Sequence, residues 1–180
     1  MKVINSEQEL IDHIFSLPDP DYYLGNPKEM WCNRVIDSFT TPETRFLSNY
    51  WPVSIEFEGM MYPSVENAYQ AGKTLSMAGR KLFTIGGPGR AKKLGNSVKL
   101  RKDWEYVKLP IMTALVTQKF MENPDLGELL KQTWPAELIE GNWWKDTFWG
   151  ICNGEGQNYL GKILMNTRSV LIAQEDDQMT

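Results

Sequence analysis

Residues 62–73 read YPSVENAYQAGK, and the placement of this stretch decides the fold. Pro63 and Ser64 announce a helix start, because the Ser64 hydroxyl can accept from a backbone N–H that the first turn leaves free. Counted at helical spacing, Glu66, Tyr69, Gln70 and Lys73 share one strip, while Val65, Ala68, Gly72 and Leu75 fall on the other. An ordinary surface helix turns such a polar strip to water. This one carries a carboxylate, a phenol, an amide and an amine in place of repeated Glu and Lys, and small Ala68, Ala71 and Gly72 suit close packing. The spacing therefore predicts that Glu66 faces a cleft.

Working outward, residues 53–57 alternate as a strand, Glu58-Gly59 is a turn, and residues 60–62 return as the hairpin partner that delivers Ser64. Residues 35–39 predict another strand, and the loop that follows ends at Pro52. Downstream, the Glu66 helix is expected to run to about Gly79, the Gly-rich turn 86–89 to precede a brief helix over 90–95, and a long helix to start near Asp103. Pro110 predicts a kink or a fresh start in that helix, since proline is costly in a helix interior. Residues 124–132 predict a short helix, 137–140 a strand and 158–173 a last amphipathic helix. Residues 6–16 read as an amphipathic helix inside an N-terminal extension, 1–33, and 175–180 as a frayed acidic tail. The whole is an α+β chain: one helix-rich domain, residues 34–174, with a small sheet.

The chain of 180 residues is 42% hydrophobic and 23% charged, an ordinary globular composition that can bury its own core. Its formal net charge of −4 argues against a general nucleic-acid coat, whose affinity comes from many cationic phosphate contacts. Cys32 and Cys152 stand far apart, and His13 is the single histidine, so the usual Cys/His zinc sites and most nucleophilic triads are excluded. No metal and no cofactor is expected. The N-terminus has no signal-like apolar run and no stretch is long enough to span a membrane, so the cytoplasm is the expected location.

Chemistry must then rest on carboxylates, amides, Lys, Arg and aromatics. Ser48 and Asn49 offer hydrogen-bonding groups between hydrophobic neighbours, either as a turn or as a binding loop. Residues 90–102 concentrate the positive charge, with Arg101 among them, in a form that suits a solvated face or a phosphate. Residues 141–150, GNWWKDTFWG, set Asp146 among tryptophans that could form core or stack on a base. Carboxylates, stacking aromatics and a basic corner suit cleavage of an N-glycosidic bond, in which oxocarbenium character develops on the ribose.

These stretches resemble, in order, the NADAR family, also called the YbiA-like superfamily. The resemblance is carried by LSNYWP (47–52), YPSVENAYQAGK (62–73), AKKLG (91–95), LRKDWEYVK (100–108), LIE (138–140), DTFWG (146–150) and NYLGKILMNTR (158–168). It implies a YbiA-like fold and an N-glycosidase acting on one of two substrate classes. These are ADP-ribose linked to guanine, as nucleoside or in nucleic acid, and phosphorylated ribosylaminopyrimidines from riboflavin synthesis. The first is the expected substrate.

The resemblance also implies Glu66 and Asp146 as the catalytic carboxylates. Ser48, Asn49, Tyr69, Gln70, Lys73, Arg101, Trp104, Trp149 and Asn158 are the expected substrate-binding residues. Arg168 is expected to form a buried bridge to a carboxylate. One departure stands out: Asn67 occupies a position where the family often has histidine. It keeps open a non-catalytic ADP-ribose or nucleotide reader, in which the same pocket binds without cleaving. A structural or partner-binding protein is a third reading, in which Glu66 and Asp146 would share no cleft.

Overall fold

In the computed structural model, which describes residues 35–178, the elements follow the predicted order with shifted bounds and with two further elements, a 3-10 turn and a short second helix. Strand β1 (Val35–Ile36) is followed by a 3-10 turn (Arg45–Leu47), β2 (Ile55–Phe57) and β3 (Met60–Tyr62). Helices α1 (Val65–Gly72), α2 (Met77–Lys81), α3 (Pro88–Gly95), α4 (Trp104–Met121) and α5 (Pro124–Gln132) come next, then β4 (Glu137–Leu138) and α6 (Tyr159–Gln178). The expected helix over 6–16 lies outside the described residues.

The strands form two small ladders. Strands β2 and β3 pair antiparallel with Ile55 opposite Tyr62, and β1 pairs parallel with β4, placing Ile36 opposite Leu138. Both ladders serve to deliver loops and helix starts. After the hairpin, Ser64 caps α1 as its sequence predicts, its Oγ accepting from the Asn67 N–H at 3.1 Å. Every residue of α1 is buried, polar strip included, because α3 and α4 pack against it.

Several boundaries differ from the sequence reading for identifiable reasons. Helix α1 stops at Gly72, and the Ser76 hydroxyl starts a separate helix by accepting from the Gly79 N–H at 3.1 Å. Helix α4 runs unbroken through Pro110, which is solvent-exposed, so water can serve the carbonyl that the proline leaves without its helical donor. Helix α6 continues to Gln178 past the expected fraying point, and Glu175 accepts from the Lys131 ammonium at 2.6 Å. The parallel partner of β1 is short because β4 ends at Leu138, where the chain turns into the functional loop.

The core runs from Ile55, Tyr62, Val65 and Ala68 through Met112, Leu115 and Phe120 to Leu138, Leu160 and Leu164. Each buried Val, Leu, Ile, Met or Phe side chain among them contributes roughly 1.5–3 kcal/mol. Arg168 is a buried link, but its partners are not carboxylates. Its Nη1 donates to the Thr133 carbonyl (3.1 Å), the Thr133 hydroxyl (2.8 Å) and the Ala136 carbonyl (2.9 Å), tying α6 to the segment that leads into β4. Turn carbonyls at a helix end serve a guanidinium here without the cost of desolvating a second charge.

Candidate active site

The buried polar face of α1 forms one wall of a cleft of about 800 Å³. Glu66, Tyr69, Gln70 and Lys73 all line it. The Gln70 amide donates to Glu66 Oε1 at 2.9 Å, the i,i+4 geometry that fixes a helix-borne carboxylate. Burial pushes the Glu66 carboxyl above its ordinary range. The Gln70 hydrogen bond, Lys92 and Lys73 oppose that shift, while the Asp146 charge adds to it. Gly95 of α3 sits directly against Gln70, leaving no room for a Cβ.

A second wall comes from the 3-10 turn and the loop after it. The Asn49 carbonyl accepts from the Glu66 N–H at 3.0 Å, so this loop joins Ser64 in satisfying the start of α1. Buried Lys119 of α4 holds the loop from behind, its ammonium donating to the carbonyls of Phe46 (2.6 Å) and Ser48 (2.8 Å). The Ser48 hydroxyl accepts from the Tyr50 N–H at 3.1 Å, so its turn role is realised, and both residues also line the cleft. Burial, with Glu66 and Glu140 nearby, pushes the Tyr50 phenol up to about 12.

The third wall is the loop 139–150. Asn142 clamps it, donating to the Asp146 carbonyl (2.8 Å) while its Oδ1 accepts from the Asp146 N–H (3.0 Å). Asp146 Oδ1 in turn accepts from the N–H groups of Phe148 (3.1 Å) and Trp149 (2.9 Å), which orients the aromatic turn. Trp149 meets Tyr69 edge-on at 5.6 Å, and Trp104 packs against Tyr69 at 5.1 Å with its ring tilted. Lys92 sits over the Trp144 ring and Lys108 over that of Phe148.

Of the predicted site residues, Glu66, Asp146, Ser48, Asn49, Tyr69, Gln70, Lys73, Trp104 and Trp149 surround this one cleft. Arg101 and Asn158 do not line it. Arg101 grips the Asp103 carboxylate through Nε (2.7 Å) and Nη2 (2.9 Å), and its N–H donates to the Lys73 carbonyl, so it braces the end of α1. Asn158 is a buried strap: its Nδ2 donates to the Leu138 carbonyl (2.9 Å) and its Oδ1 accepts from the Glu140 N–H (3.1 Å). Asn67 also stands apart from the cleft. Its amide donates to the carbonyls of Phe83 and Gly86, both at 2.9 Å, and anchors the α2–α3 loop.

Glu140, Lys92, Lys108 and Trp144 line the cleft as well; Lys92 and Trp144 lie in the basic and tryptophan-rich stretches that the sequence marks, whereas Glu140 and Lys108 are not among the expected site residues. For Glu140 the available signal was its place at the end of the LIE match. Burial, with the charges of Asp146 and Glu66, pushes its carboxyl up to about 7, Lys92 opposing. Burial likewise lowers the Lys73 ammonium, with Lys92 adding to the shift and Glu66 opposing it. Asn49 Oδ1 and Glu140 Oε2 belong to residues that line the cleft and have no hydrogen-bond partner among the described residues, as has Gln70 Oε1, which packs against Gly95 of α3. No group of three or more His, Cys, Asp or Glu among the described residues is arranged to hold a metal ion, and no described helix is long and apolar enough to cross a membrane.

A helix-rich α+β domain that gathers carboxylates, aromatics and lysines in one nucleotide-sized cleft falls in the class of hydrolases acting on N-glycosyl bonds. The NADAR domain matches residues 35–172, and the chain belongs to that family. It is 34% identical over 129 residues to N-glycosidase YbiA of Escherichia coli, covering 69% of this chain and 79% of that protein. An N-glycosidase of Nostoc punctiforme is 35% identical over 128 residues, 67% of this chain and 81% of the relative. A riboflavin biosynthesis protein of Vibrio vulnificus is 35% identical over 130 residues, 70% of this chain but only 35% of that longer protein. The NMR structure of E. coli YbiA superposes with a TM-score of 0.70 at 32% identity, covering 78% of this chain and 87% of that one.

Proposed function

We propose that the cleft hydrolyses the bond between a ribose anomeric carbon and a base nitrogen, and that its principal substrate is ADP-ribose linked to guanine. The observation that carries this reading is Glu66: a buried carboxylate on a rigid helix, held by Gln70 and flanked by Lys73 and Lys92, facing a cleft lined with indole and phenol rings. As the C1′–N bond lengthens, positive charge grows on the ribose. Glu66 stabilises it and orients the water that attacks C1′, while Asp146 adds a second negative charge. Trp104, Tyr69 and Trp149 form the aromatic wall for a base, and Lys73 and Lys92 meet phosphate oxygens.

A cleft of about 800 Å³ lies toward the upper end of the roughly 300–1,000 Å³ of small-molecule sites. That volume favours a dinucleotide-sized ligand over a single phosphorylated riboside. The riboflavin-related name of the Vibrio relative supports hydrolysis of ribosylaminopyrimidine phosphates as the second reading. Asn67 argues less for a non-catalytic reader than the sequence suggested, because its side chain is committed to the α2–α3 loop.

Product release from an ADP-ribosylated guanine oligonucleotide and from a ribosylaminopyrimidine phosphate tests the proposal. Wild type should release free ADP-ribose from the first, and Glu66→Gln should lower kcat by about 10²–10³-fold while retaining most of the affinity. Pyrimidine release alone would move the assignment to the riboflavin precursor. Binding without turnover of either substrate would replace the enzyme with a reader.

A further inference from the structure

Three carboxylates reach the cleft, and the structure uses them differently. Glu66 Oε1 is occupied by the Gln70 amide, and Asp146 Oδ1 caps the turn that carries Phe148 and Trp149. Glu140 differs in that its backbone is held on both sides while its carboxyl is left over. Its N–H donates to Asn158 Oδ1 at 3.1 Å, and its carbonyl accepts from the Ile151 N–H at 2.9 Å. Gly150 packs so closely on that carbonyl that a Cβ there would overlap it. The Glu140 Oε2, by contrast, is enclosed at the cleft with no partner among the described residues.

A buried carboxylate without a donor is costly, and holding a proton removes the cost. The protonated group then has an O–H to give. We propose that Glu140 is the general acid of the site, the group that protonates the departing base nitrogen. This assignment rests on the glycosidase reading above and adds a role that Glu66 and Asp146 leave unfilled. In the step, the C1′–N bond breaks with its electron pair going to nitrogen, and the Glu140 proton moves onto that nitrogen as the pair arrives. The water oxygen bonds to C1′ and its proton passes to Glu66. One water is consumed, and return of that proton through solvent from Glu66 to Glu140 resets the site.

Glu140 is faced by Glu66 from α1, Lys92 from α3, Asp146 from its own loop and Tyr50 from the loop after the 3-10 turn. Burial first, then the Asp146 and Glu66 charges, favour its protonated form against the opposing Lys92, and hold its carboxyl at about 7. A general acid works only while protonated, so turnover should be present below about 7 and decline as pH rises through that value.

The test compares wild type, Glu140→Gln and Glu66→Gln on the two substrates named above, across pH 5–9. Glu140→Gln should lower kcat by about 10²–10³-fold, leave KM within about threefold, and abolish the alkaline decline that wild type shows. Independently of any variant, a carbon-13 carboxyl NMR titration of the wild-type protein should give Glu140 a midpoint near 7. Wild-type kcat with an intact alkaline limb in Glu140→Gln, or a Glu140 midpoint in the ordinary carboxylate range, overturns the assignment. If Glu66→Gln alone abolishes turnover, the glycosidase reading stands and the Glu140 role falls. If wild type cleaves neither substrate, both fall together.

Discussion

Helix α1 and the loop 139–150 supply carboxylates to the same cleft by opposite means. Glu66 is positioned by its own element: an N-cap at Ser64, an i,i+4 amide from Gln70 and the regular backbone of a fully buried helix. Glu140 and Asp146 sit on irregular chain, where Glu140 is held by groups from outside the loop and Asp146 by side-chain and turn contacts within it. Asn158 straps the Glu140 N–H, Ile151 meets its carbonyl, and Asn142 brackets Asp146. A helix can carry a catalytic group on local information, whereas a loop needs its polar backbone satisfied residue by residue from distant sequence. The loop should therefore be the part of the site that tertiary perturbation damages first.

Asn158→Ala should break the comparison most severely. It strands the Glu140 N–H and the buried Leu138 carbonyl, and it places alanine at a φ of 51°. Two lost partners and a left-handed non-glycine residue together cost about 3–5 kcal/mol, readable by urea denaturation. A loss below about 1 kcal/mol would mean that the loop holds itself and the contrast with α1 is mistaken.

Glu140→Gln sharpens the comparison through stability rather than activity. A carboxyl whose folded pKa is raised to about 7 binds protons more tightly in the folded state than in the unfolded one. Wild-type stability from this group is then fully present below the unfolded carboxylate range and is lost as pH rises to about 7. Above that pH the glutamine variant should be more stable than wild type by roughly 3 kcal/mol, and the gap should close toward pH 4. A pH-independent difference would show that the unpaired carboxyl carries no such penalty.

The smallest of these effects is expected on the helix side. Gly95→Ala pushes a methyl into the Gln70 side chain, which is flexible enough to move aside. The fold should lose about 1–2 kcal/mol by overpacking, and kcat should fall about tenfold as Glu66 loses its partner. Differential scanning calorimetry and single-turnover kinetics on the same variant separate the two losses. Unchanged kcat would show that Glu66 is held by the helix alone.

The way the site was legible follows the same division. Ser64, Glu66 and Gln70 stand within one helix, so spacing in the chain is spacing in space, and the polar strip could be read directly. Asp146, Trp149 and the Ser48–Asn49 loop were noticed for unusual composition, but nothing local said that they share a cleft. Arg101 and Asn158 show the reverse failure. Each fell on a motif position, yet Arg101 pairs with Asp103 and Asn158 straps β4, because a motif records that a residue type is needed and not whether substrate or backbone needs it.

By itself the sequence determined the order of elements apart from the separate helix α2, the capped helix with its polar face, the NADAR family and a chemistry that must run on carboxylates and aromatics. The elements and the chemistry follow from periodicity, capping and the near absence of histidine, and the family from the ordered motifs, all properties of the chain read along its length. Only the tertiary structure decided that Glu140 joins Glu66 and Asp146, that Asn67 is a strut for the α2–α3 loop, and that Lys119 supports the cleft from behind. Those relations depend on burial and on hydrogen-bond partners tens of residues away in the chain, which no local pattern of residues encodes.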